Sequence, residues 1–295
     1  MPIAPTIRAA TPDDLERVWD IRFINDIAGE PTIPERGQPA PYLTHLLEQG
    51  QFLVAEVEGQ VIGYACRSDR GGVSYLNDLF IDPEVHSASI GSRLLREIFA
   101  GDPFPRCTLA STDRRAIALY TRAGMAPRWP NILLLGETAR LRGLRDIDIE
   151  MIPADVSDPD FPRWDHRASG RWRPEDLAFF VAAERGQAFW FRRGGKSIGY
   201  GIVRLGAGRL WWPKAVTVGP IGAISPRDAG SCVLAAATWA REQGPIIELA
   251  VPGPHAALAP LLNVGFQIIY VETYCTSDPD LIDPTLYVGS GGDLF

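Results

Sequence analysis

The sequence predicts an α/β chain of the α+β kind, built as two tandem copies of one domain, each a mixed, mostly antiparallel sheet flanked by helices. Three observations carry this. At 295 residues the chain is about twice an ordinary domain. "FLVAEVEGQVIGYACR" (52–67) and "FWFRRGGKSIGYGIVR" (189–204) each read as an extended run, a Gly-containing turn, Ile-Gly-Tyr and a second run, the pattern of a hairpin. "AIALYTRAGM" (116–125) is echoed by "ALAPLLNVGF" (257–266), a helical stretch closed by Gly124 or Gly265. Gly63 and Gly199 are 136 residues apart, Gly124 and Gly265 141. Near-constant spacing over two element types marks a duplication. The expected copies are 1–136 and 137–275, followed by a tail, 276–295.

Within the first copy "TIRAAT" is a strand. "TPDDLERVWDIRFIND" is a helix with Thr11 as N-cap, Pro12 at its first position and Asp13 and Asp14 in the first turn. "YLTHLLEQ" is a second helix, and the hairpin follows. "VSYLNDLFID" is a strand, "DPEVHSASIGSRLL" (82–95) a loop opening the helix "IGSRLLREIFA", "CTLAS" a strand, "DRRAIALYTRAG" a helix and "ILLLG" a last strand. In the second copy "GAISPRDAGSCVLAAATWAREQG" is the main helix, with Ser225 as N-cap and Pro226 next. The tail, rich in Asp, Pro and Gly, is expected to be irregular and to lie on the surface.

A formal charge of -7 and a pI near 5.2 argue against nucleic acid or an anionic membrane as partner, because both demand a basic face. Cys66, Cys107, Cys232 and Cys275 lie far apart in apolar surroundings, as reduced, buried thiols do, and neither they nor the isolated His45, His166 and His255 have metal-ligand spacing. With no leader-like N-terminus and no apolar run long enough to span a bilayer, a cytoplasmic protein is expected. Four of the eight tryptophans gather near arginines in "FPRWDHRASGRWRPEDL" and "RLWWPKAV". They read either as an aromatic wall between the copies or, more simply, as packing.

The order strand, two helices, hairpin, long strand, loop, helix, strand and helix ending in "LY…G" resembles the GNAT acyltransferase superfamily, over nearly the whole chain, as two tandem GNAT-like domains. The resemblance implies transfer of an acyl group, acetyl from acetyl-CoA, to a small-molecule amine, with no metal. In that family the loop Arg/Gln-x-x-Gly-x-Gly/Ala holds the CoA pyrophosphate on main-chain N–H groups at a helix N-terminus. Residue by residue, His86 takes the Arg/Gln position, Ser89 the first Gly and Gly91 the second, so the expected cradle is His86, Ser87, Ala88, Ser89, Ile90, Gly91 and Ser92. His86 departs from the pattern and weakens the expected affinity. Ser89 supplies the same N–H as Gly unless the left-handed region is required.

By the same resemblance Leu79, Phe80 and Ile81 lie on the splayed strand that pairs with pantetheine. Asp113 stands where an Asn commonly touches the cofactor, and Tyr120 where a tyrosine protonates the leaving thiolate. Asp78 is the candidate base, against a plain structural aspartate. Strand alternation sends Asn77 and Asp78 to opposite faces, leaving at most one for the amine. In the second copy Ser225, Asp228 and Gly230 fall at the loop positions and Leu261 at the tyrosine. Asp228 would repel pyrophosphate, so that copy reads as a divergent partner. Two alternatives stay open: a non-catalytic acyl-CoA or ligand-binding protein, and a site in the second copy.

Overall fold

A computed structural model of the chain describes residues 5–85, 89–144, 148–207 and 210–295. Its first half contains β1 (Thr6–Ala9), α1 (Leu15–Asp26), α2 (Pro41–Gln49), β2 (Gln51–Val57), β3 (Gln60–Asp69), β4 (Ser74–Ile81), α3 (Ile90–Ile98), β5 (Arg106–Ala110), α4 (Arg114–Arg122) and β6 (Ala126–Glu137). The second half contains β7 (Glu150–Pro153), α5 (Asp160–Ser169), α6 (Pro174–Ala182), β8 (Gly186–Arg193), β9 (Lys196–Arg204), β10 (Ala215–Ala223), α7 (Pro226–Ala240), β11 (Ile246–Pro252), α8 (Leu258–Val264), β12 (Gln267–Thr276) and β13 (Tyr287–Val288).

Local signals set most of these limits. Thr11 N–H and hydroxyl both donate to the Asp14 carboxylate (2.8 and 2.9 Å), and a single 3-10 turn at Pro12–Asp14 leads into α1. Ser225 accepts from Asp228 N–H and caps α7, with Pro226 at its first position. Gly124 (φ +88°) and Gly265 (φ +114°) end α4 and α8 in the left-handed region that β-carbons disfavour. The echo at 124 and 265 therefore marks equivalent helix ends.

The strands do not form two separate sheets. They run in one path, β1-β2-β3-β4-β5-β12-β6-β11-β10-β9-β8-β7, because each half gives its last strand to the other. β12 pairs with β5, β6 pairs with β11, and β6 and β12 pair with one another, all antiparallel. The path reads the same from either end, and Trp129 of β6 stacks on Tyr274 of β12 at its centre, 4.4 Å apart. Among the described residues only β4–β5 and β10–β11 are parallel, so the sheet is mixed and mostly antiparallel, as expected.

Helices cover both faces. α1, α2, α5 and α6 bury Val18, Trp19, Leu43, Leu46, Phe161, Leu177 and Phe180 on the inner face against Tyr64, Tyr75, Trp129, Tyr200 and Tyr274. α3 and α4 pack on the outer face of the first half, α7 and α8 on that of the second. Burial of this apolar surface, worth about 25 cal/mol per Å², is the main stabilising term. The halves are also tied by Asp176 of α6, which takes His45 Nε2 of α2 (2.7 Å) and Arg70 (2.9 Å).

The tail differs from the expectation. It is irregular apart from β13, but it crosses the inner face from one half to the other and ends on Phe295, which is fully buried among Tyr75, Trp129, Tyr274 and Tyr287. Two buried guanidinium groups, Arg171 and Arg173, donate to the Phe295 main-chain oxygen. Aromatic burial and these charge-assisted bonds outweigh the disorder that its composition favours.

Candidate active site

β4 organises the site. It pairs with β3 along its whole length, but with β5 only from Ser74 to Leu76. Beyond Leu76 the two parallel strands separate, and residues 77–81 present a main-chain edge that no strand among the described residues covers. An extended ligand can complete such an edge by hydrogen bonding, since unmade main-chain bonds are costly once buried. Leu79, Phe80 and Ile81 lie on this edge.

The expectation for Asn77 and Asp78 is corrected. Opposite β3, Cys66 pairs with Asp78 and Arg67 with Leu76, so Asn77 is the extra residue of a β-bulge. The bulge resets alternation. Tyr75, Asn77, Asp78 and Phe80 all meet partners on the inner face, while Leu76, Leu79 and Ile81 pack against α3 and α4. Both Asn77 and Asp78 therefore face the same cleft.

Asp78 is 5% exposed and its oxygens are engaged. Oδ1 accepts from Arg22 Nη1 (2.8 Å), and Oδ2 accepts from the Tyr42 hydroxyl (2.8 Å) and the Tyr64 hydroxyl (3.2 Å). Burial raises its pKa, Arg22 opposes the rise and Asp293 adds to it. Arg22 also holds Asp26 (3.3 Å) and, from the tail, Asp293 (2.9 Å), so three carboxylates surround one guanidinium. The tail meets β4 twice more: the Tyr75 hydroxyl donates to the Gly292 oxygen (2.5 Å) and Asn77 Nδ2 to the Asp293 oxygen (2.7 Å). Asn77 Oδ1 is buried without a hydrogen-bond partner.

Beyond the edge stands the N-terminus of α3. Ser89 adopts φ -105°, ψ -18°, so it needs no left-handed backbone and replaces Gly without strain. The first turn, Ile90, Gly91 and Ser92, points unpaired helical N–H groups toward the cleft end of the helix. A Cβ placed on Gly91 would come within ordinary contact range of both Ile81 and Leu119, so the end of β4, α3 and α4 lie close together there. His86, Ser87 and Ala88 lie outside the described residues.

Tyr120 of α4 is buried in the cluster formed by α3, α4 and the strands above them. Its hydroxyl has no hydrogen-bond partner among the described residues. Burial pushes the phenol well above its ordinary value, and Asp78, Cys275 and Asp113 push the same way. Asp113 proves to be the N-cap of α4. It accepts from Arg115 N–H (2.8 Å) and pairs with the Arg115 side chain, whose hydrogen bond holds its carboxyl below the usual range. That local role is sufficient reason for an Asp at this position.

The corresponding place in the second half is filled. β10 pairs with β11 only from Ala215 to Val218, the same separation as in the first half. Here β13 enters the gap, with Val288 and Tyr287 opposite Ile221 and Gly222. At the N-terminus of α7, Asp228 accepts from its own helix cap Ser225 and pairs with Arg193, which also reaches Ser231. Leu261 is buried in the apolar core. The aromatic wall at the junction consists of Tyr75, Trp129, Tyr274, Tyr287 and Phe295; of the clustered tryptophans, Trp164 packs edge-on to Trp190 and Trp172 is exposed beside His166.

Arg22, Tyr42 and Asp293 were not among the expected site residues. Tyr64 was visible only as half of the repeat with Tyr200. The repeat has a chemical meaning, since Tyr64 reaches Asp78 beside Arg22 while Tyr200 reaches Asp165 (2.8 Å) beside Arg173. Among the described residues no group of three or more His, Cys, Asp and Glu is placed to hold a metal ion, and no helix is long and apolar enough to cross a membrane.

A strand pair that parts beside a helix N-terminus, with a buried tyrosine on the next helix, is the architecture of the GNAT acyltransferases. Residues 48–124 match the family described as Acetyltransferase (GNAT) domain. A candidate acetyltransferase of Pyrococcus horikoshii superposes with a TM-score of 0.74 at 16% identity, over 99% of this chain and 96% of that one. A tandem GNAT protein from the clavulanic acid biosynthesis pathway gives 0.62 at 14% identity, over 92% and 97%. A GCN5-related N-acetyltransferase from Sphaerobacter thermophilus gives 0.61 at 12% identity, over 94% and 96%. At these identities the likeness is one of fold. No curated protein sequence matches the chain. Acyl transfer from CoA is the general chemistry of the superfamily, and its acetyltransferases use acetyl-CoA as co-substrate.

Proposed function

We propose that the protein is an N-acetyltransferase that carries an acetyl group from acetyl-CoA to a small-molecule amine, with its active site in the first half. The observation that carries this reading is the contrast between two equivalent gaps: the edge of β4 is open, while that of β10 is filled by the chain's own β13. The donor's amide arm pairs with residues 79–81, and its pyrophosphate takes the first-turn N–H groups of Ser89, Ile90, Gly91 and Ser92. Asp113, spent on capping α4, contributes through that helix rather than by contact.

Tyr120 donates its proton to the sulfur as the carbon–sulfur bond breaks. A phenol raised by burial is a poor acid toward a thiolate in water, but the same surroundings raise thiols too, and Cys275 beside it is pushed up to about 11. The mismatch therefore narrows inside the site. Asp78 acts as base only through its partners, because both its oxygens are engaged; a proton reaches it by way of the Tyr42 or Tyr64 hydroxyl. The test is thiol release from acetyl-CoA in the presence of a panel of amines. Turnover supports the reading, whereas tight CoA binding without turnover across the panel would leave a ligand-binding protein.

A further inference from the structure

In the second half, α5 and the end of β10 enclose a cavity of about 100 Å³. Trp164, Arg167 and Ala168 stand three and four residues apart on one face of α5 and form one wall; the end of β10, with Ile224, and Leu286 before β13 form the rest. The geometry points to a binding site for a small aromatic carboxylate, with its ring against Trp164 and Ile224 and its carboxylate on Arg167. None of these residues belongs to the acyl-transfer site proposed above, and the inference does not rest on that reading.

The apolar walls are set before a ligand arrives. Trp164 meets Trp190 edge-on at 5.6 Å, and Trp190 in turn meets the fully buried Phe161 at 5.3 Å, so the indole is held from behind. β10 is equally fixed: a Cβ on Gly222 would collide with Tyr200 and Ala168, which shows that α5 lies directly on the strand. Ile224 is 54% exposed, so its branched aliphatic carbon meets water unless something covers it. A hollow lined by an indole and such a side chain gains from an apolar group that displaces its water. A dry cavity of about 150 Å³ takes up benzene whole, so this smaller one, with Ile224 and Arg167 reaching solvent, seats a single ring and excludes a nucleotide.

The charge of the ligand follows from Arg167. Among the described residues it makes no hydrogen bond and no ion pair. The other charged groups nearby are committed elsewhere: Arg163 pairs with Asp160 at 3.0 Å, and Asp165 is fully buried on Arg173 and the Tyr200 hydroxyl. On the segment that leads to Leu286, Asp283 accepts from the Thr285 N–H (2.8 Å) and hydroxyl (2.7 Å). Main-chain groups at the cavity are also paired, Ala223 N–H with the Leu286 oxygen and Ile224 N–H with the Ile198 oxygen, both at 3.1 Å. What the described lining offers a ligand is therefore a planar fork of N–H donors, which a carboxylate matches bidentately. A cationic amine is repelled, and a polyphosphate finds one guanidinium for several charges.

The experiment is equilibrium binding by ligand-observed NMR at neutral pH, comparing benzoate with its neutral analogue benzyl alcohol. Wild type, Arg167→Gln, Arg167→Lys and Ile224→Asp are compared, with thermal melts to verify folding; both positions are exposed, so the fold tolerates the changes. The expected result is a dissociation constant for benzoate on the order of 1 mM or tighter in the wild type. Benzyl alcohol should bind at least tenfold more weakly. Arg167→Gln should lose about tenfold or more in benzoate affinity, Arg167→Lys should recover part of it, and Ile224→Asp, which sets a carboxylate beside the guanidinium, should lose as much as Arg167→Gln. Equal affinity for benzoate and benzyl alcohol, no saturation by about 10 mM benzoate, or an unchanged affinity in folded Arg167→Gln and Ile224→Asp overturns the proposal. None of these outcomes touches the acyl-transfer reading, which thiol release tests separately.

Discussion

Arg22 Nη2 donates to Asp293 Oδ1 at 2.9 Å across 271 residues of chain, joining the first long helix to the last few residues. The same guanidinium supports Asp78 through Nη1. Removing it leaves buried carboxylates without their counter-ion. Arg22→Leu should therefore destabilise the protein by about 3–5 kcal/mol, the usual consequence of breaking one side of a buried pair. Urea unfolding monitored by tryptophan fluorescence measures it, and a change under about 1 kcal/mol would show that the cluster holds protons instead of charge.

Tyr120→Phe should leave CoA affinity within about twofold of wild type and lower kcat by about 100-fold, because the hydroxyl is asked to act only as the thiolate leaves. Calorimetry and thiol release separate the two quantities. Equal kcat for the folded variant would exclude the phenol from the reaction.

Gly91→Asp should abolish CoA binding. A Cβ there meets Leu119 and Ile81 only at 3.8 and 3.9 Å, so the fold accommodates it, and the added carboxylate sits at the N-terminal end of α3 where an anion is to bind. Asp228→Gly, in the second half, should change CoA affinity by less than twofold because β13 still occupies the gap. The opposite pattern in calorimetry would move the site to the second half.

Burial pulls the His255 imidazole down to about 4 from its ordinary 6.5, with Asp283 partly opposing. The folded pKa lies below the unfolded one, so between pH 6.5 and 4 the unfolded chain binds more protons and stability falls as pH falls. The loss over that window should be on the order of 2 kcal/mol. His255→Asn keeps an acceptor for the Ala257 N–H and should flatten this part of the profile. An unaltered slope would assign the window to other groups.

Features set by neighbouring residues were legible in the sequence. Thr11, Pro12 and Asp14 announce the first helix, Ser225 and Pro226 the main helix of the second half, and the echo at Gly124 and Gly265 two equivalent helix ends. What depends on a remote partner was not. The bulge at Asn77 exists only in the pairing of β4 with β3, so alternation read along one strand gave the wrong face. Arg22, Tyr42 and Asp293 come together only when the tail crosses the sheet, and Asp and Gly in a tail look the same whether buried or solvated. The exchange of β6 and β12 was equally hidden, because an apolar run does not say which neighbour it will take.

That exchange has a consequence for the order of events at the ribosome. β5 ends at residue 110, but the strand that covers its edge, β12, is finished only at residue 276. At about 5–20 residues per second the first half waits roughly ten to thirty seconds with an uncovered strand edge. Such an edge invites pairing with another chain. During that interval the nascent protein is most exposed to association with other copies of itself, and slower translation of the second half would lengthen the exposure without altering a single contact of the finished molecule.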